Sequence, residues 1–423
     1  MQSKRKKPFF GWFVLVGVAY SLFIGAGFIF YAMSVLLETI VAATGFSVAQ
    51  ISLANTIFLV ASGFAGIAVG ELIARYDTRY TVVIGTLLMA AIFWLLPMAE
   101  GLPQIYGIYI GLGLGYAMTA LVPATTLTAR WFMRRRALAI ALTHSGLSLG
   151  GILLTPMLAD LLAAHSLSAT RSPWVLGLIL VNVPLSLYLM RPDPRAMGLT
   201  ADGDAAPEDG ANPAEQGWSA AEALRSRFFL LFGTASIFAL MTQVGTIAHV
   251  FKWGLERADS DIAAITVASL AFCSLTGRLV CGALLDRMNL FRFVLGLYLV
   301  QSVAMFGMAV AEGGLWVLSM TVLFGLTVGN ILMAQPLLVA AAFGLRDFPR
   351  ILSVQQLVMN AGVALGPITI GVIYDYGGGY QNAFSFVGLC SLLAFAALWQ
   401  AGPPEAVMSE TDFATRQNKS QPH

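Results

Sequence analysis

The chain has 423 residues, of which 58% are hydrophobic and only 11% are charged. A soluble domain carries roughly 25% charged residues, so this composition excludes an ordinary water-soluble globule and predicts an all-α integral membrane protein. The formal net charge of +2 points to no particular partner, and the three cysteines have neither metal-ligand spacing nor the even count of a disulfide framework.

Twelve apolar segments are long enough to cross a bilayer, because about 20 apolar residues span its hydrocarbon core. The apolar run after the basic N-terminus is longer than a signal peptide allows and lacks a cleavage site, so we interpret it as the first span. The spans are predicted at 10–37, 48–72, 80–98, 104–129, 136–162, 173–190, 227–250, 262–285, 291–311, 314–343, 350–374 and 381–400.

The segment between the sixth and seventh spans has a different composition. It collects acidic residues with Pro and Gly, which is typical of a linker. We therefore expect a six-helix bundle at 1–190, a cytoplasmic linker at 191–226, a second six-helix bundle at 227–401 and a disordered cytoplasmic tail at 402–423.

The distribution of Lys and Arg predicts the orientation. With the N-terminus inside, twenty of the 24 basic residues fall in inner segments, whereas Arg171, Lys252 and Arg257 fall in outer ones. Cytoplasmic loops carry such an excess of positive charge. We expect a multi-pass protein of a bacterial-type inner (plasma) membrane with both termini and the linker in the cytoplasm.

A short motif is repeated in the loops after the second and eighth spans, 212 positions apart. Its residues are Gly70, Arg75 and Arg79 in the first copy and Gly282, Asp286 and Arg287 in the second. Ala74 stands at the position that Asp286 occupies in the intact copy. With twelve spans and a long central loop, the chain resembles the major facilitator superfamily. The resemblance implies two pseudo-symmetric six-helix bundles and a gating role for this motif on the cytoplasmic side.

Arg278 lies inside the eighth span, 8 residues before Asp286. That spacing places it about 12 Å from the cytoplasmic end of its helix, too deep to reach water along its own side chain. A guanidinium at this depth costs several kcal/mol unless it is paired or faces a water-filled cavity, so it predicts a functional site. Its planar fork suits a carboxylate, although a structural arginine that bonds helix carbonyls is the alternative.

Two histidines are further candidates. His249 lies near the outer end of the seventh span, where an imidazole can titrate near physiological pH or stand idle at the interface. His144 lies in the fifth span at a depth similar to that of Arg278, where it carries a proton or bonds a neighbouring backbone carbonyl.

The residues around His249 and Arg278 resemble the monocarboxylate transporter family and its bacterial oxalate/formate-type relatives. There a seventh-span His precedes an eighth-span Gly-Arg-x-x-x-Gly-x-x-x-Asp pattern, here from Gly277 to Asp286, and the Phe10-Gly11-Trp12 opening also matches. The resemblance implies that Arg278 holds the substrate carboxylate. Ser274 stands where relatives place Asp or Asn and cannot carry a charge, so His249 is the first candidate proton carrier and His144 the second.

The family architecture, in which the first, fourth, seventh and tenth spans line the path, implies further candidates. Tyr31, Tyr116 and Asn330 are polar groups in apolar runs that could bind a hydroxyl or a carboxylate, or could bond a neighbouring helix.

The sequence thus predicts a secondary transporter of a small organic anion, a monocarboxylate, with proton symport by alternating access. Its expected partners are that anion, a proton and the lipid bilayer. No phosphate-binding Gly-Lys loop, hydrolytic triad or metal motif occurs, so we expect no ATP drive, enzymatic activity, cofactor, metal or nucleic acid. The alternatives are an exporter of drugs or metabolites with the same fold and a non-transporting membrane sensor.

Overall fold

The computed structural model describes residues 9–203, 217–258, 260–405 and 407. Within these ranges, twelve helical segments are long and apolar enough to cross a membrane, and no sheet is formed. The predicted all-α class and the twelve spans are therefore confirmed. The basic residues before position 9, the acidic part of the linker and most of the tail lie outside the described residues.

The chain divides into two compact units, Met1–Asn212 and Pro213–His423, with six spans each. The helices of the first unit are α1 (Gly11–Gly25), α2 (Met33–Thr44), α3 (Val48–Arg75), α4 (Thr78–Leu95), α5 (Leu102–Thr119), α6 (Leu121–Trp131), α7 (Arg136–Ala164) and α8 (Leu167–Leu189). Those of the second unit are α9 (Ala220–Arg225), α10 (Arg227–Arg257), α11 (Ser260–Leu285), α12 (Leu290–Ala309), α13 (Gly314–Phe343), α14 (Phe348–Tyr376) and α15 (Tyr380–Ala401). The pairs α1–α2 and α5–α6 form one span each, and α9 is too short to span.

The sixth span begins earlier than its hydropathy predicts, at Leu167 rather than near residue 173. The Ser166 side chain accepts a hydrogen bond from the Ala169 amide and so caps the helix. The first turn is polar, which hides this start from a hydropathy criterion. Arg171, which the sequence analysis placed in an outer loop, therefore lies within α8.

The seventh span is longer than predicted and ends at Arg257 rather than near residue 250. Lys252 was also placed in an outer loop and instead lies in the last turns of α10. Its ammonium stands 3.9 Å from the centroid of the Tyr374 ring. A cation over an aromatic face is stabilised at a helix end, so the charge does not end the helix.

Two glycines allow α7 to approach α1 closely. A Cβ atom on Gly146 would lie 2.1 Å from the Ala19 carbonyl oxygen, and one on Gly150 would lie 2.2 Å from that of Phe23. Backbone-to-backbone contact of this kind requires residues without side chains.

The second unit repeats this arrangement between α14 and α10. Cβ atoms on Gly362 and Gly366 would lie 2.3 and 2.4 Å from the carbonyl oxygens of Ile237 and Met241. Within each pair the two glycines are four positions apart, and each glycine of the second pair lies 216 positions after its counterpart in the first. Each unit is therefore built on the same close helix contact, as a six-plus-six duplication predicts.

Spans one and four are both interrupted. A π-helical turn, Ala26–Phe30, joins α1 to α2, and the Tyr31 amide donates to the Ala26 carbonyl five residues back at 2.9 Å. The fourth span breaks at Ala120, because Pro123 cannot donate a hydrogen bond to the Thr119 carbonyl. These interruptions redirect the side chains around them.

The linker is tied to the first unit at one end. Asp202 has a left-handed backbone (φ 57°), and its carboxylate accepts hydrogen bonds from the amides of Met133 and Arg134 at 2.8 and 2.7 Å. An aspartate tolerates this backbone conformation better than most residues. The carboxylate satisfies two amides between α6 and α7 and fixes the first part of the linker there.

The other end of the linker is tied to the second unit. The Trp218 amide donates to the Phe343 carbonyl at 2.9 Å, and the Ala220 amide donates to Asp347 at 2.9 Å. Ser219 and Glu222 then form a capping box that starts α9. Hydrogen bonds from Ser219 hold the pKa of the Glu222 carboxyl below its usual value.

Candidate functional site

Arg278 lies in α11, and only 3% of its surface is exposed. Its Nε donates a hydrogen bond to the backbone carbonyl of Gly329 on α13 at 3.2 Å. The guanidinium is therefore buried between two helices of the second unit, and the Gly329 carbonyl orients its plane. Such a bond to a helix carbonyl is what the structural alternative for Arg278 predicts, and its role as a substrate ligand stays a prediction.

Gly329 allows the Arg278 guanidinium to lie against α13. A Cβ atom at position 329 would lie 2.2 Å from the Ser274 carbonyl oxygen and 2.9 Å from Nε of Arg278. No side chain fits between α11 and α13 at this level, so only glycine permits the contact. Sequence reasoning missed Gly329; its one signal is its position next to Asn330 in an otherwise apolar helix.

Ser274 and Asn330 lie in the same helix pair as Arg278. Ser274 is one turn before Arg278 on α11, and Asn330 follows Gly329 on α13; both are buried. Asn330 donates to the Leu326 carbonyl in its own helix at 2.7 Å, and its Nδ2 would lie 3.4 Å from a Cβ atom on Gly277. The structure thus brings three of the predicted residues together.

His249 has a different setting. It is half-buried on α10, where its Nε2 lies 3.2 Å from the Pro367 carbonyl oxygen on α14 and its Nδ1 lies 3.2 Å from the Tyr380 hydroxyl on α15. The imidazole therefore bridges three helices rather than standing idle at the interface. Its hydrogen-bond partners are not those of Arg278.

His144 is a buried contact within the first unit. Its Nε2 lies 3.1 Å from the Thr125 hydroxyl, which joins α7 to α6. A second pair, Thr128 and Thr143, joins the same helices at 3.0 Å. This contact is to a side-chain hydroxyl, whereas the structural alternative named a backbone carbonyl. The protonation of His144 stays a prediction.

Tyr31 and Tyr116 belong to an aromatic group beside the π-helical turn. The Tyr116 ring stacks on Phe30 with centroids 5.8 Å apart and packs against Phe58 at 5.3 Å. Tyr31 is 36% exposed, and Gly151 leaves room for its ring. The structure places both tyrosines at one aromatic surface of the first unit.

The repeated loop motif differs between its copies. In the first, Arg75 pairs with Glu71, and Arg79 pairs with Asp77 at 2.8 and 2.5 Å. Asp77 also caps α4. The first loop therefore has a carboxylate three positions after Ala74, where it pairs with Arg79 and caps the next helix.

In the second copy Gly282 is buried within α11, whereas Asp286 and Arg287 follow the helix and are exposed. Asn289 then caps α12 at the position that corresponds to Asp77. A polar cap in the same place supports a common origin of the two loops, and their gating role stays a prediction.

The second unit also contains a buried amide network that joins three of its helices. Gln355 on α14 donates to the Ser236 hydroxyl on α10 at 2.8 Å and to the Gln335 carbonyl oxygen on α13 at 3.2 Å. All three side chains are buried, and these hydrogen bonds join α10, α13 and α14 inside the unit. In the part of the chain that the structure describes, no three His, Cys, Asp or Glu side chains gather as a metal site.

The model of the Major Facilitator Superfamily matches residues 18–347. Because this match covers most of the chain, and because the fold has the twelve spans in two units that the resemblance implied, the chain belongs to the Major Facilitator Superfamily. Members of this family move small molecules across membranes, so the chain is a multi-pass membrane protein of a transporter family.

Several curated relatives match most of the chain. An MFS-type transporter of Gibberella moniliformis is 26% identical and covers 90% of this chain and 87% of its own length. Human monocarboxylate transporter 11 is 27% identical over 79% of this chain and 70% of its own length. The aspyridones efflux protein of Emericella nidulans is 24% identical over 79% of this chain and 65% of its own length. The relatives thus include both monocarboxylate transporters and efflux proteins.

Solved structures share the fold. The human organic anion transporter TETRAN superposes with a TM-score of 0.70 at 14% identity, over 93% of this chain and all of that one. The fucose:proton symporter of E. coli gives a TM-score of 0.67 at 16% identity, over 92% and 98%. At these identities the likeness concerns the fold alone.

Proposed function

We propose that this chain is a secondary transporter of a small organic anion, a monocarboxylate, and that Arg278 binds the carboxylate. The observation that carries the proposal is the buried guanidinium whose plane is fixed against α13. An arginine keeps its charge when buried, and its fork matches the two oxygens of a carboxylate. The monocarboxylate transporters among the relatives support the same substrate class.

The other predicted residues take supporting roles. Ser274 and Asn330 flank Arg278 and offer hydrogen bonds to the substrate. Tyr31 and Tyr116 remain candidates that the family architecture implies. The two units would alternate access to the bound anion, and the loop motifs would gate the cytoplasmic side.

Proton symport is the proposed coupling. An anion and a proton that move together carry no net charge, which lowers the cost of crossing the membrane. Ser274 cannot carry a proton as an aspartate could. His249 is therefore the first candidate carrier and His144 the second.

Uptake into proteoliposomes tests the proposal. With an inward proton gradient, we expect the wild-type protein to accumulate labelled lactate or pyruvate. Arg278→Ala should reduce the rate about 30-fold or more, because truncating one partner of a buried charged hydrogen bond costs about 2–5 kcal/mol. Arg278→Lys should also be impaired, since an ammonium lacks the fork.

The matched control is Arg292→Ala. Arg292 is an exposed arginine at the start of α12 in the same unit, and its helix cap uses its backbone amide, which the substitution keeps. Uptake at the wild-type rate by Arg278→Lys would contradict the carboxylate role. Wild-type protein that takes up neither acid would contradict the monocarboxylate assignment.

An exporter of metabolites is the second candidate. The stacked rings of Phe30 and Tyr116, both half-buried, could contact an apolar substrate, and several relatives are named efflux proteins. Transport that does not depend on Arg278 and runs outward would favour this candidate.

The orientation is a further prediction. The excess of basic residues on one side predicts that both termini lie in the cytoplasm of a bacterial-type inner membrane. Green fluorescent protein fused to the C-terminus should fluoresce, whereas alkaline phosphatase fused at the same point should be inactive. The reverse pattern would contradict the cytoplasmic assignment.

A further inference from the structure

The Arg257 end of the second unit carries a group of titratable side chains that the proposed carboxylate site does not use. His249, Lys252 and Glu256 lie on α10, and Tyr374 on α14 and Tyr380 on α15 face them. We refer to these five residues as the His249 cluster. α10 packs against both α14 and α15, so the cluster sits where three helices meet.

The contacts run from the surface to the imidazole. The Tyr374 hydroxyl donates to a Glu256 carboxylate oxygen at 2.5 Å. The Tyr374 and Tyr380 rings lie 4.5 Å apart between centroids, and the Tyr380 hydroxyl is 3.2 Å from Nδ1 of His249. Glu256 is exposed, Tyr374 is half-buried and Tyr380 is 2% exposed. The series therefore leads from solution into the protein.

The histidine tautomer follows from its partners. The Pro367 carbonyl can only accept a hydrogen bond, so Nε2 of His249 carries the hydrogen in the neutral imidazole. Nδ1 is then the basic nitrogen, and it accepts a hydrogen bond from the Tyr380 hydroxyl. Any added proton must bind at Nδ1, on the side of the two tyrosines.

We infer that Glu256, Tyr374 and Tyr380 form the route by which a proton from the solution at the Arg257 end reaches Nδ1 of His249. The inference deepens the proposed symport and rests on it. The Glu256 carboxyl gives its proton to the Tyr374 oxygen, and Tyr374 passes its own proton to the Tyr380 oxygen through one water, since the contact between the two tyrosines is between their rings. Tyr380 passes its own proton to Nδ1, so His249 gains one proton, Glu256 loses one, and both phenols are unchanged.

The charges around the route are mixed. Lys252 places its ammonium over the Tyr374 ring, and Asp375 adds a second carboxylate on α14 close to Tyr380. Elsewhere around this end, α11 contributes the exposed Asp261 near its start, and Glu312 is exposed in the loop before α13. Tyr380 is the titratable group that α15 brings to His249. The Glu256 carboxylate and the Lys252 ammonium belong to the same cluster, so their charges offset each other.

Two transport assays separate a proton route from a structural role. Gradient-driven lactate uptake requires the proton to load and unload, whereas lactate counterflow at equal pH exchanges substrate without proton release. We expect Tyr380→Phe, Tyr374→Phe and Glu256→Gln each to reduce gradient-driven uptake about tenfold or more while counterflow persists. Glu312→Gln and Tyr376→Phe, exposed groups at the same end outside the cluster, should leave both assays unchanged.

A parallel loss of uptake and counterflow in the cluster variants would overturn the inference, and so would unaltered gradient-driven uptake. Arg278→Ala should lose both gradient-driven uptake and counterflow. Failure of the carboxylate proposal is therefore distinguishable from failure of the proton route. Nitrogen-15 NMR of the four histidines gives a readout that needs no substrate. The signal that His249→Gln removes should show hydrogen on Nε2 when neutral, and hydrogen on Nδ1 would overturn the inference.

Discussion

A methyl group at position 329 is expected to abolish transport. The Cβ atom of Gly329→Ala would meet a backbone oxygen, that of Ser274, at 2.2 Å, and Nε of Arg278 at 2.9 Å. A backbone atom cannot rotate away as a side chain can, so α11 and α13 must separate. The guanidinium must then lose its contact with the Gly329 carbonyl. Overpacking of this kind costs about 1–3 kcal/mol and here falls on the proposed substrate ligand.

The measurement is gradient-driven uptake together with the thermal unfolding temperature in detergent. Gly296→Ala is the matched control, because nothing lies within 4 Å of a Cβ atom at that position on α12. We expect the control to transport and unfold as the wild type does. Normal uptake by Gly329→Ala would show that the α11–α13 contact is not needed for transport.

The second large effect is expected at the glycine contacts between helices. Gly146→Ala would place a methyl group 2.1 Å from the Ala19 carbonyl oxygen, and Gly362→Ala would place one 2.3 Å from that of Ile237. Without a hydrophobic driving force in lipid, close packing is the main attraction between helices. Each substitution should therefore lower the unfolding temperature clearly, by an amount that corresponds to about 1–3 kcal/mol.

Gly107→Ala and Gly177→Ala are the controls, because both glycines have open space around the Cβ position. Equal losses at positions 146 and 362 would follow from the repeated helix contact. Unfolding at the control temperature by either variant would contradict the role of these contacts in its unit.

The number of spans follows from the sequence, because a bilayer demands about 20 consecutive apolar residues from any segment that crosses it. The depth of Arg278 follows for the same reason, since a rise of about 1.5 Å per residue converts its distance from Asp286 into a position in the helix. The start of the sixth span and the end of the seventh could not be predicted from hydropathy. The Ser166 cap and the Lys252 contact with Tyr374 keep polar turns helical where hydropathy alone ends the helix.

What the sequence by itself determined is thus the membrane-spanning class and the depth of Arg278 along its helix, both of which depend on local composition and spacing. The tertiary structure decided which groups meet. Pro367 and Tyr380 come to His249 from 118 and 131 positions away, and the Gly329 carbonyl comes to Arg278 from 51. Such contacts depend on the side of each helix that packs inward, and a uniformly apolar span carries no periodic signal of that side, because lipid and protein neighbours both accept apolar side chains.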